Sequence, residues 1–162
     1  MRSLRITLLV LLAFGPGLSL AAGKADPSWE KLKSLVGDWE GRFEGQPARV
    51  SYKLVSSGQA LLETMETHDS NQMVTIYHPD GASLLLTHYC SMGNQSRLRA
   101  TGMREGRFDF SFVDATNLQS PDEHRMTRLV LSLPDPAHLI QEWTSRDGAE
   151  EQVGRFEYTR AR

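Results

Sequence analysis

The sequence has few of the features that mark several large classes of protein. It contains one cysteine, Cys90, which excludes an internal disulfide, so packing and hydrogen bonds have to stabilise the fold. Of its 18 lysine and arginine residues, two lie in the first 21 positions, which leaves 16 against 20 acidic residues. This mildly acidic balance, without a basic stripe, argues against a nucleic-acid partner. After the N-terminal region, no apolar run approaches the length that spans a membrane.

Motifs that define common enzyme classes are also missing. The chain has no Gly-x-Ser-x-Gly, His-Glu-x-x-His, P-loop or dinucleotide-binding fingerprint. Its histidines and its cysteine do not show the dense spacing of zinc motifs. The sequence therefore predicts no metal and no cofactor, and no motif indicates an enzyme.

The N-terminal region has the pattern of a secretory signal peptide. Arg2 and Arg5 precede an apolar run over 6–14, a Gly-Pro-Gly break follows at 15–17, and 19–21 supplies the small residues of a cleavage site. The run is too short for a comfortable membrane anchor, and no cysteine follows it to carry a lipid. We therefore expect a periplasmic or secreted protein with no membrane span after cleavage.

We expect three segments in the chain: the signal peptide over 1–21, a leader with a short helix over 22–36, and one barrel domain over 37–162. Ser28 is a suitable N-cap for a helix that begins at Trp29. Three apolar residues of that helix recur at helical spacing and are predicted to face the core: Trp29, Leu32 and Val36.

From residue 37 the hydrophobic period changes from helical to two, which is typical of half-buried strands. Turn residues separate ten predicted strands, at 37–44, 48–55, 59–68, 72–78, 83–90, 96–102, 106–113, 125–133, 138–145 and 151–160. This close succession leaves no room for crossover helices, so the sheet must be antiparallel and mostly a meander. Closure hides the edges of such a sheet. The predicted fold is all-β: an antiparallel up-and-down β-barrel of about ten strands after a short N-terminal helix.

A short helix that leads into Gly37-x-Trp39, before a run of strands that ends near Arg155 or Arg160, resembles the pattern of the calycin superfamily. The resemblance is to lipocalin-like and nitrobindin-like barrels, and to a group of secreted bacterial lipocalin-like proteins. It implies that the tryptophan plugs the closed end and that an arginine of the last strand packs over it. Nitrobindin-like barrels hold haem through a histidine near the C terminus, and 150–162 contains none, so the resemblance implies no haem here.

The hairpin over 72–90 has a turn signal, Pro79-Asp80-Gly81, that is typical of a type I turn with a glycine bulge. That turn predicts the pairs Ile76–Leu84, Val74–Leu86 and Gln72–His88. The inward face would then hold Val74, Ile76, Leu84, Leu86, His88 and Cys90. The outward face would hold Met73, Thr75, Tyr77, Leu85, Thr87 and Tyr89.

Polar residues collect at one predicted end of the barrel. Phe108, Phe110 and Phe112 alternate with polar residues and should fill the core, and Asp114 continues their face. The connection over 114–124 is long, which makes it a lid candidate, and by strand parity it lies at the same end as the 90–95 turn. We expect a ligand-binding pocket there, formed by His88, Cys90, Asn94, Asp114, Asn117 and His124.

The alternation of side chains along the predicted strands also places three charged residues inside the barrel. Buried charges are costly unless they are paired or a ligand satisfies them. The three charges are Glu63, Arg128 and Glu142, and we add Glu142 to the ligand-binding candidates. In the favoured alternative, Arg128 and Glu142 pair or point outward. The core then comes from Leu129, Leu131, Leu133 and Trp143.

The function that these patterns favour is binding of a small apolar or amphipathic molecule by a secreted barrel with polar anchors at its open end. The alternative is an enzyme that acts on a small substrate at the His/Cys/Asp cluster. His88 and Cys90 are two apart on one strand, about 7 Å between Cα atoms, which strains a direct contact. A purely structural role for each polar residue is the simplest explanation.

A third hypothesis is a barrel whose interior is fully packed. Five aromatic residues would fill it: Trp39, Phe108, Phe110, Phe112 and Trp143. Partners would then bind the outer surface, where Met73, Tyr77 and Tyr89 would form an exposed apolar patch.

Overall fold

The computed structural model describes residues 27–68 and 71–162, so the predicted signal peptide lies outside the described residues. One helix precedes the strands, α1 (Pro27–Lys33). The strands are β1 (Gly37–Phe43), β2 (Gln46–Val55), β3 (Ala60–Thr67), β4 (Gln72–Asp80), β5 (Ser83–Tyr89), β6 (Gln95–Ala100), β7 (Met103–Arg104), β8 (Arg107–Thr116), β9 (Arg125–Asp135), β10 (His138–Asp147) and β11 (Glu150–Arg160). A 3₁₀ turn, Ser56–Gly58, joins β2 to β3.

The ten long strands close into one antiparallel up-and-down barrel. Each pairs with the next along the chain, β6 pairs with β8, and β11 returns to pair with β1. The two-residue strand β7 adds to β8 beside this ring. The predicted fold class is therefore confirmed, with one short strand more than the sequence predicts.

Helix α1 covers one end of the barrel, which we call the closed end. Trp29, Leu32 and Leu35 are buried there, whereas Val36 is 41% exposed. The prediction for Val36 is wrong because the helix ends at Lys33, and the chain then turns so that Leu35 faces the core instead.

Trp39 and Arg160 form a clasp at the closed end. The buried Trp39 indole donates from Nε1 to the Leu35 carbonyl at 2.8 Å, and the Arg160 guanidinium lies 4.2 Å from the centre of its ring. Arg160 also donates to the carbonyls of Val36 (2.9 Å) and Ser34 (2.7 Å). The packing implied by the calycin resemblance is present, and Arg160 makes it.

The β4–β5 hairpin differs from its predicted register. Asp80 pairs with Ser83 across a two-residue turn, Gly81-Ala82, and Gly81 has the positive φ (61°) that the first position of a type II′ turn requires. With this shorter turn, the observed pairing of β4 with β5 differs from the predicted pairing by an odd number of residues. The β4 side chains predicted to point outward therefore point inward, whereas those of β5 keep their predicted direction. Thr75 and Tyr77 are therefore buried, and Val74 and Ile76 are not. The inward assignment of Leu84, Leu86 and His88 on β5 is confirmed.

A bulge in β8 changes the second predicted pattern. Leu98 pairs with Phe112 and Arg97 pairs with Asp114, so Val113 is an extra residue on β8. Phe108 and Phe110 are fully buried, as predicted. Phe112 is 39% exposed and packs against the Arg125 guanidinium, so it does not fill the core. After the bulge, the side chain of Asp114 lies on the outer face.

No helix in the part of the chain described here is long and apolar enough to cross a membrane.

Candidate ligand-binding site

A cavity of about 230 Å³ lies at the end of the barrel opposite α1, and we call it the mouth pocket. Three methionines and three aromatic side chains make much of its wall apolar and adaptable, and Glu44, Thr67, Ser145 and Gln152 also line it. The apolar wall residues are Phe43, Met65, Met73, Met126, Trp143, Val153 and Phe156. Phe43 and Phe156 stack with their ring centres 4.2 Å apart, which holds one wall rigid.

His88 provides a buried polar group in the mouth pocket. Its side chain is 2% exposed, its Nδ1 lies 3.0 Å from Oγ1 of Thr75, and its ring centre lies 4.6 Å from that of Trp143. Among the described residues, its Nε2 meets no hydrogen-bond partner. Burial lowers the pKa of His88 to about 4, so the ring is neutral at pH 7.

Below the mouth pocket the interior becomes polar, and the strand register shows why. Met65 of β3 lies between Val50 and Met73, and two residues further toward the closed end Glu63 lies between Tyr52 and Thr75. A layer of methionines is therefore followed by a layer of hydrogen-bonding groups. We call the second layer the Glu63 network, and it consists of Tyr52, Glu63, Thr75, Tyr77 and Gln141.

The Glu63 network surrounds one carboxylate with donors. Glu63 is 1% exposed, and its Oε2 accepts hydrogen bonds from the Tyr77 hydroxyl (2.7 Å) and from Nε2 of Gln141 (3.0 Å). Its Oε1 accepts from the Thr75 hydroxyl at 3.5 Å. Gln141 Nε2 also donates to the Tyr52 hydroxyl at 2.5 Å. Among the described residues, these hydrogen bonds satisfy the buried carboxyl group of Glu63.

The electrostatics of the Glu63 network follow from its burial. Burial raises the pKa of Glu63, and the hydrogen bonds from Tyr77, Tyr52 and Gln141 oppose that rise. Burial and the neighbouring Glu63 charge together raise the pKa of both Tyr52 and Tyr77 well above the usual range. Both tyrosines are therefore hydrogen-bond donors at any pH at which the protein works.

The structure brings three of the predicted site residues together at the rim of the barrel, at the end that holds the mouth pocket. Asn94 is fully buried and donates from Nδ2 to the carbonyl of His124 at 2.7 Å. Asn117 donates from Nδ2 to the carbonyl of Gly93 at 2.8 Å. These bonds fasten the 117–124 connection to the β5–β6 turn. Oδ1 of Asn94 and Nδ1 of His124 are buried and meet no partner within the described ranges.

The 117–124 connection is also fastened on its other side. The amide of Gly148, in the β10–β11 turn, donates to the carbonyl of Asp122 at 2.7 Å. Arg125 Nη1 donates to the carbonyl of Glu123 at 2.9 Å. The segment predicted as a lid is thus hydrogen-bonded to both neighbouring turns, and any lid movement stays a prediction.

Cys90 lies in the β5–β6 turn, directly after the strand that carries His88. Its amide donates to the Asn94 carbonyl at 3.0 Å, and its carbonyl accepts from Gly93 at 2.9 Å. Because Nε2 of His88 meets no partner in the described chain and Nδ1 faces Thr75, the Cys90 thiol is not paired with that ring. The backbone of Cys90 shapes the turn, and its half-buried side chain lies beside the rim.

Two predicted site residues lie on the outer surface of the barrel and do not join this group. Asp114 accepts two hydrogen bonds from Arg97, one of them from Nε at 2.6 Å. Glu142 pairs with Arg155 at 2.8 Å. Arg128, which also lies outside, pairs with Asp109. The alternative in which Glu142 and Arg128 point outward matches the structure. The core on these strands comes from Leu129, Leu131, Leu133 and Trp143.

The predicted site does not include the residues of the Glu63 network. Strand parity places Glu63 inside, because it alternates with Leu61 and Met65, but its donors come from three other strands, β2, β4 and β10. Thr75 and Tyr77 were assigned to the outer face, so their contacts with Glu63 could not be seen. Tyr77 is fully buried, which removes it from the apolar surface patch of the third hypothesis.

Across 27–68 and 71–162, no three His, Cys, Asp or Glu side chains come close enough to hold a metal ion.

Comparison with known proteins identifies the fold. No protein-family model and no curated protein matches the chain. The crystal structure of Rv2717c from M. tuberculosis is similar over 84% of this chain and 98% of its own, with a TM-score of 0.61 and 17% identity. A protein of unknown function from the DUF3598 family of Nostoc punctiforme matches over 80% of this chain, with a TM-score of 0.56 and 12% identity. This chain covers 48% of that protein. At these identities the likeness shows a shared barrel fold, which is compatible with a calycin-like barrel.

Proposed function

We propose that this chain is a lipocalin-like barrel of the calycin type that binds a small, largely apolar molecule in the mouth pocket. The observation that carries the proposal is the pocket itself: a cavity of about 230 Å³ with a mostly apolar wall, a few polar residues at its edge and the buried His88 side chain against it. Apolar walls with a small number of placed polar groups are typical of small-molecule sites.

The volume of the mouth pocket limits the size of the ligand. A cavity of about 150 Å³ accommodates benzene. By proportion, the 230 Å³ of this pocket suits a molecule of roughly nine non-hydrogen atoms. The ligand should therefore be about the size of a bicyclic aromatic compound, with a longer one extending past Val153, which is 61% exposed.

The same geometry favours binding over catalysis by a thiol. A nucleophilic cysteine needs a base within hydrogen-bond reach. His88, the nearest candidate along the chain, uses Nδ1 for Thr75, and its Nε2 does not meet the Cys90 thiol among the described residues.

Export to the periplasm or the medium is part of the proposal, and the sequence pattern of residues 1–21 supports it. N-terminal sequencing of the protein from the periplasmic and extracellular fractions of its host tests this point. We expect a mature chain that begins near residue 22. An intact N terminus on cytoplasmic protein would contradict export.

Binding is tested with indene, a rigid apolar bicyclic molecule of suitable size. We expect a Kd below about 1 mM, which corresponds to about −4 kcal/mol. Met126→Trp should abolish this binding because the larger ring fills the mouth pocket, and Met126→Leu, of similar volume to methionine, should retain it. Absence of indene binding to the wild-type protein by calorimetry and by ligand-observed NMR would contradict the proposed site.

Native mass spectrometry of the protein purified from its own host identifies the natural ligand. A bound species that disappears after denaturation would reveal its mass and its chemical class.

A further inference from the structure

The apolar wall of the mouth pocket differs in composition from the rest of the barrel core. Leucine is the commonest buried residue of the described core, yet no leucine in the described chain lines the pocket. Methionine shows the reverse pattern, because three of the five methionines in the described chain lie at the pocket wall. Methionine and leucine have similar volumes, so the need for an apolar wall does not by itself account for this choice.

The three methionines stand on opposite sides of the pocket. Met65 of β3 and Met73 of β4 are directly paired, so their side chains are neighbours on one part of the wall. Met126 belongs to β9, which is separated from β3 and β4 by three strands in one direction around the barrel and by four in the other. A ligand in the pocket therefore lies between thioethers from both sides, and their flexible chains adapt to its outline.

Aromatic rings form most of the remaining apolar wall, and their contacts hold them in place. Phe43 and Phe156 stack with an angle of 13° between their planes. The Trp143 indole donates from Nε1 to Oε1 of Gln141 at 3.1 Å and lies against the ring of His88. These rings are fixed surfaces that a flat ring meets either stacked or edge to face.

Contacts of sulfur with an aromatic ring, and of one ring with another, are favourable beyond the burial of apolar area. Each is worth up to about tenfold in affinity. A saturated ring makes neither kind of contact and gains only from apolar burial, which is roughly proportional to area. A wall of thioethers and rings therefore distinguishes an aromatic ligand from a saturated one of the same skeleton, whereas a wall of leucines would not.

We propose that the mouth pocket is selective for planar aromatic molecules, and that the thioethers of Met65, Met73 and Met126 contact the ring of the ligand and determine this selectivity. This inference rests on the proposed function and specifies the class of ligand. The selectivity belongs to the apolar wall, so it requires no polar group on the ligand.

Indene and its fully saturated counterpart, hydrindane, test the proposal because they share one carbon skeleton. Hydrindane has the larger apolar area, so burial alone would make it the tighter ligand. With the wild-type protein we expect the reverse, with indene bound about tenfold more tightly. Calorimetry with each compound and displacement of indene by hydrindane measure the ratio.

Replacement of methionine by leucine separates the thioethers from the size of the pocket. Met73 and Met126 are only partly buried, so the double variant Met73→Leu/Met126→Leu changes the accessible thioethers of the wall. Both compounds should still bind, but the ratio of their affinities should fall to about threefold or less. Met92→Leu, in the β5–β6 turn where Met92 is 62% exposed, is the matched control and should keep the wild-type ratio. Urea denaturation checks that both variants are folded.

Methionine methyl NMR locates the bound ring independently of affinity. An aromatic ring shifts the resonances of nearby methyl groups, whereas a saturated ring has no ring current. Indene should therefore shift the signals of Met65, Met73 and Met126 more than hydrindane does, and should leave those of Met92 and Met103 unchanged.

The outcomes are distinct. If hydrindane binds as tightly as indene or more tightly, the proposed function stands and the inference is wrong. If the double variant keeps the wild-type ratio, or if indene leaves the three wall methionines unshifted, the thioethers do not determine the selectivity and the inference is also overturned. If neither compound binds the wild-type protein, the pocket proposal fails, and the ligand class fails with it.

Discussion

At the scale of single residues, His88 couples the mouth pocket to the stability of the barrel. Its pKa is lowered to about 4 by burial, whereas an unfolded histidine titrates near 6.5. The unfolded chain therefore binds a proton in this window that the folded chain does not bind. The stabilisation is complete above pH 6.5 and is lost as the pH falls toward 4.

Replacement of His88 by phenylalanine removes this titration. From pH 7 to about pH 4.5, we expect the wild type to lose about 2–3 kcal/mol of unfolding free energy relative to His88→Phe. Urea denaturation of both proteins at a series of pH values measures the difference. Parallel curves over this range would show that the ring is not held neutral.

Glu63 has the opposite dependence. Burial raises its pKa, so the folded chain holds a proton that the unfolded chain has already released. The resulting stabilisation is present below the unfolded pKa, near 4.3, and is lost as the pH rises through the raised value. Relative to Glu63→Gln, the wild type should therefore lose stability as the pH rises from about 4.3. Glu66→Gln, on the exposed side of the same strand, is the control for the loss of a carboxylate from β3.

At the scale of elements, Arg160 joins the α1–β1 connection, the β9–β10 turn and β11 at the closed end. In addition to its bonds to Ser34 and Val36, it donates from Nε to the carbonyl of Pro136 at 3.2 Å. Arg160→Met should cost about 2–4 kcal/mol, because three carbonyls lose their donor and Trp39 loses its cation.

Arg160→Lys should restore little of this loss, since a lysine has the charge without the planar fork of donors. The control is Arg155→Met, on the outer face of the same strand. Arg155 forms only exposed ion pairs, with Glu142 and Glu157, so we expect the free energy of unfolding to change by less than about 1 kcal/mol. Urea denaturation measures all three variants. An equal loss for Arg155→Met and Arg160→Met would contradict a specific role for the clasp.

The elements also show which parts of the fold the sequence determines locally. Alternation and turn residues predict the ten long strands, because both signals depend on a few adjacent positions. The faces of β4 could not be predicted, since Pro79-Asp80-Gly81 suits two turn lengths and only the paired strands distinguish them. The bulge at Val113 could not be predicted either, because it arises from the pairing of β8 with β6 and has no local signal in the sequence.

For the candidate site, the sequence predicts at which end of the barrel the site lies better than it predicts which residues form the site. Strand parity places His88 in the interior and brings Asn94 and Asn117 to one rim, and these positions are confirmed. A role for any of the seven residues in ligand binding stays a prediction. The wall methionines carry no polar signal in the sequence, and the donors around Glu63 lie on strands that are far apart in the chain.

At the scale of the whole molecule, the barrel closes because its first strand, β1, pairs with its last strand, β11. If the two ends of the chain were joined and the chain were opened elsewhere, each strand would keep the same neighbours. We expect a circular permutant of 27–162 with new ends between Ser57 and Gly58, in an exposed turn, to fold and bind indene. A flexible linker of about ten residues, which spans roughly 17 Å, joins the old ends at the closed end.

This permutant should lose only about 1–3 kcal/mol of unfolding free energy. A second permutant, opened between Thr75 and Ile76 within β4, interrupts the ladder and should not unfold cooperatively. Circular dichroism during urea denaturation distinguishes the two. Failure of the first to fold would show that the β1–β11 closure depends on the native chain order.

The Glu63 network lies directly beneath the mouth pocket, and it has a consequence for homologous series of ligands. Each added methylene normally strengthens binding by about 0.8 kcal/mol. Here a growing alkyl chain meets a polar layer after a short distance, because Glu63 and Thr75 lie only two residues below Met65 and Met73. Affinity should rise over the first members and then level off, because further methylenes find no apolar wall and extend past the exposed Val153 instead.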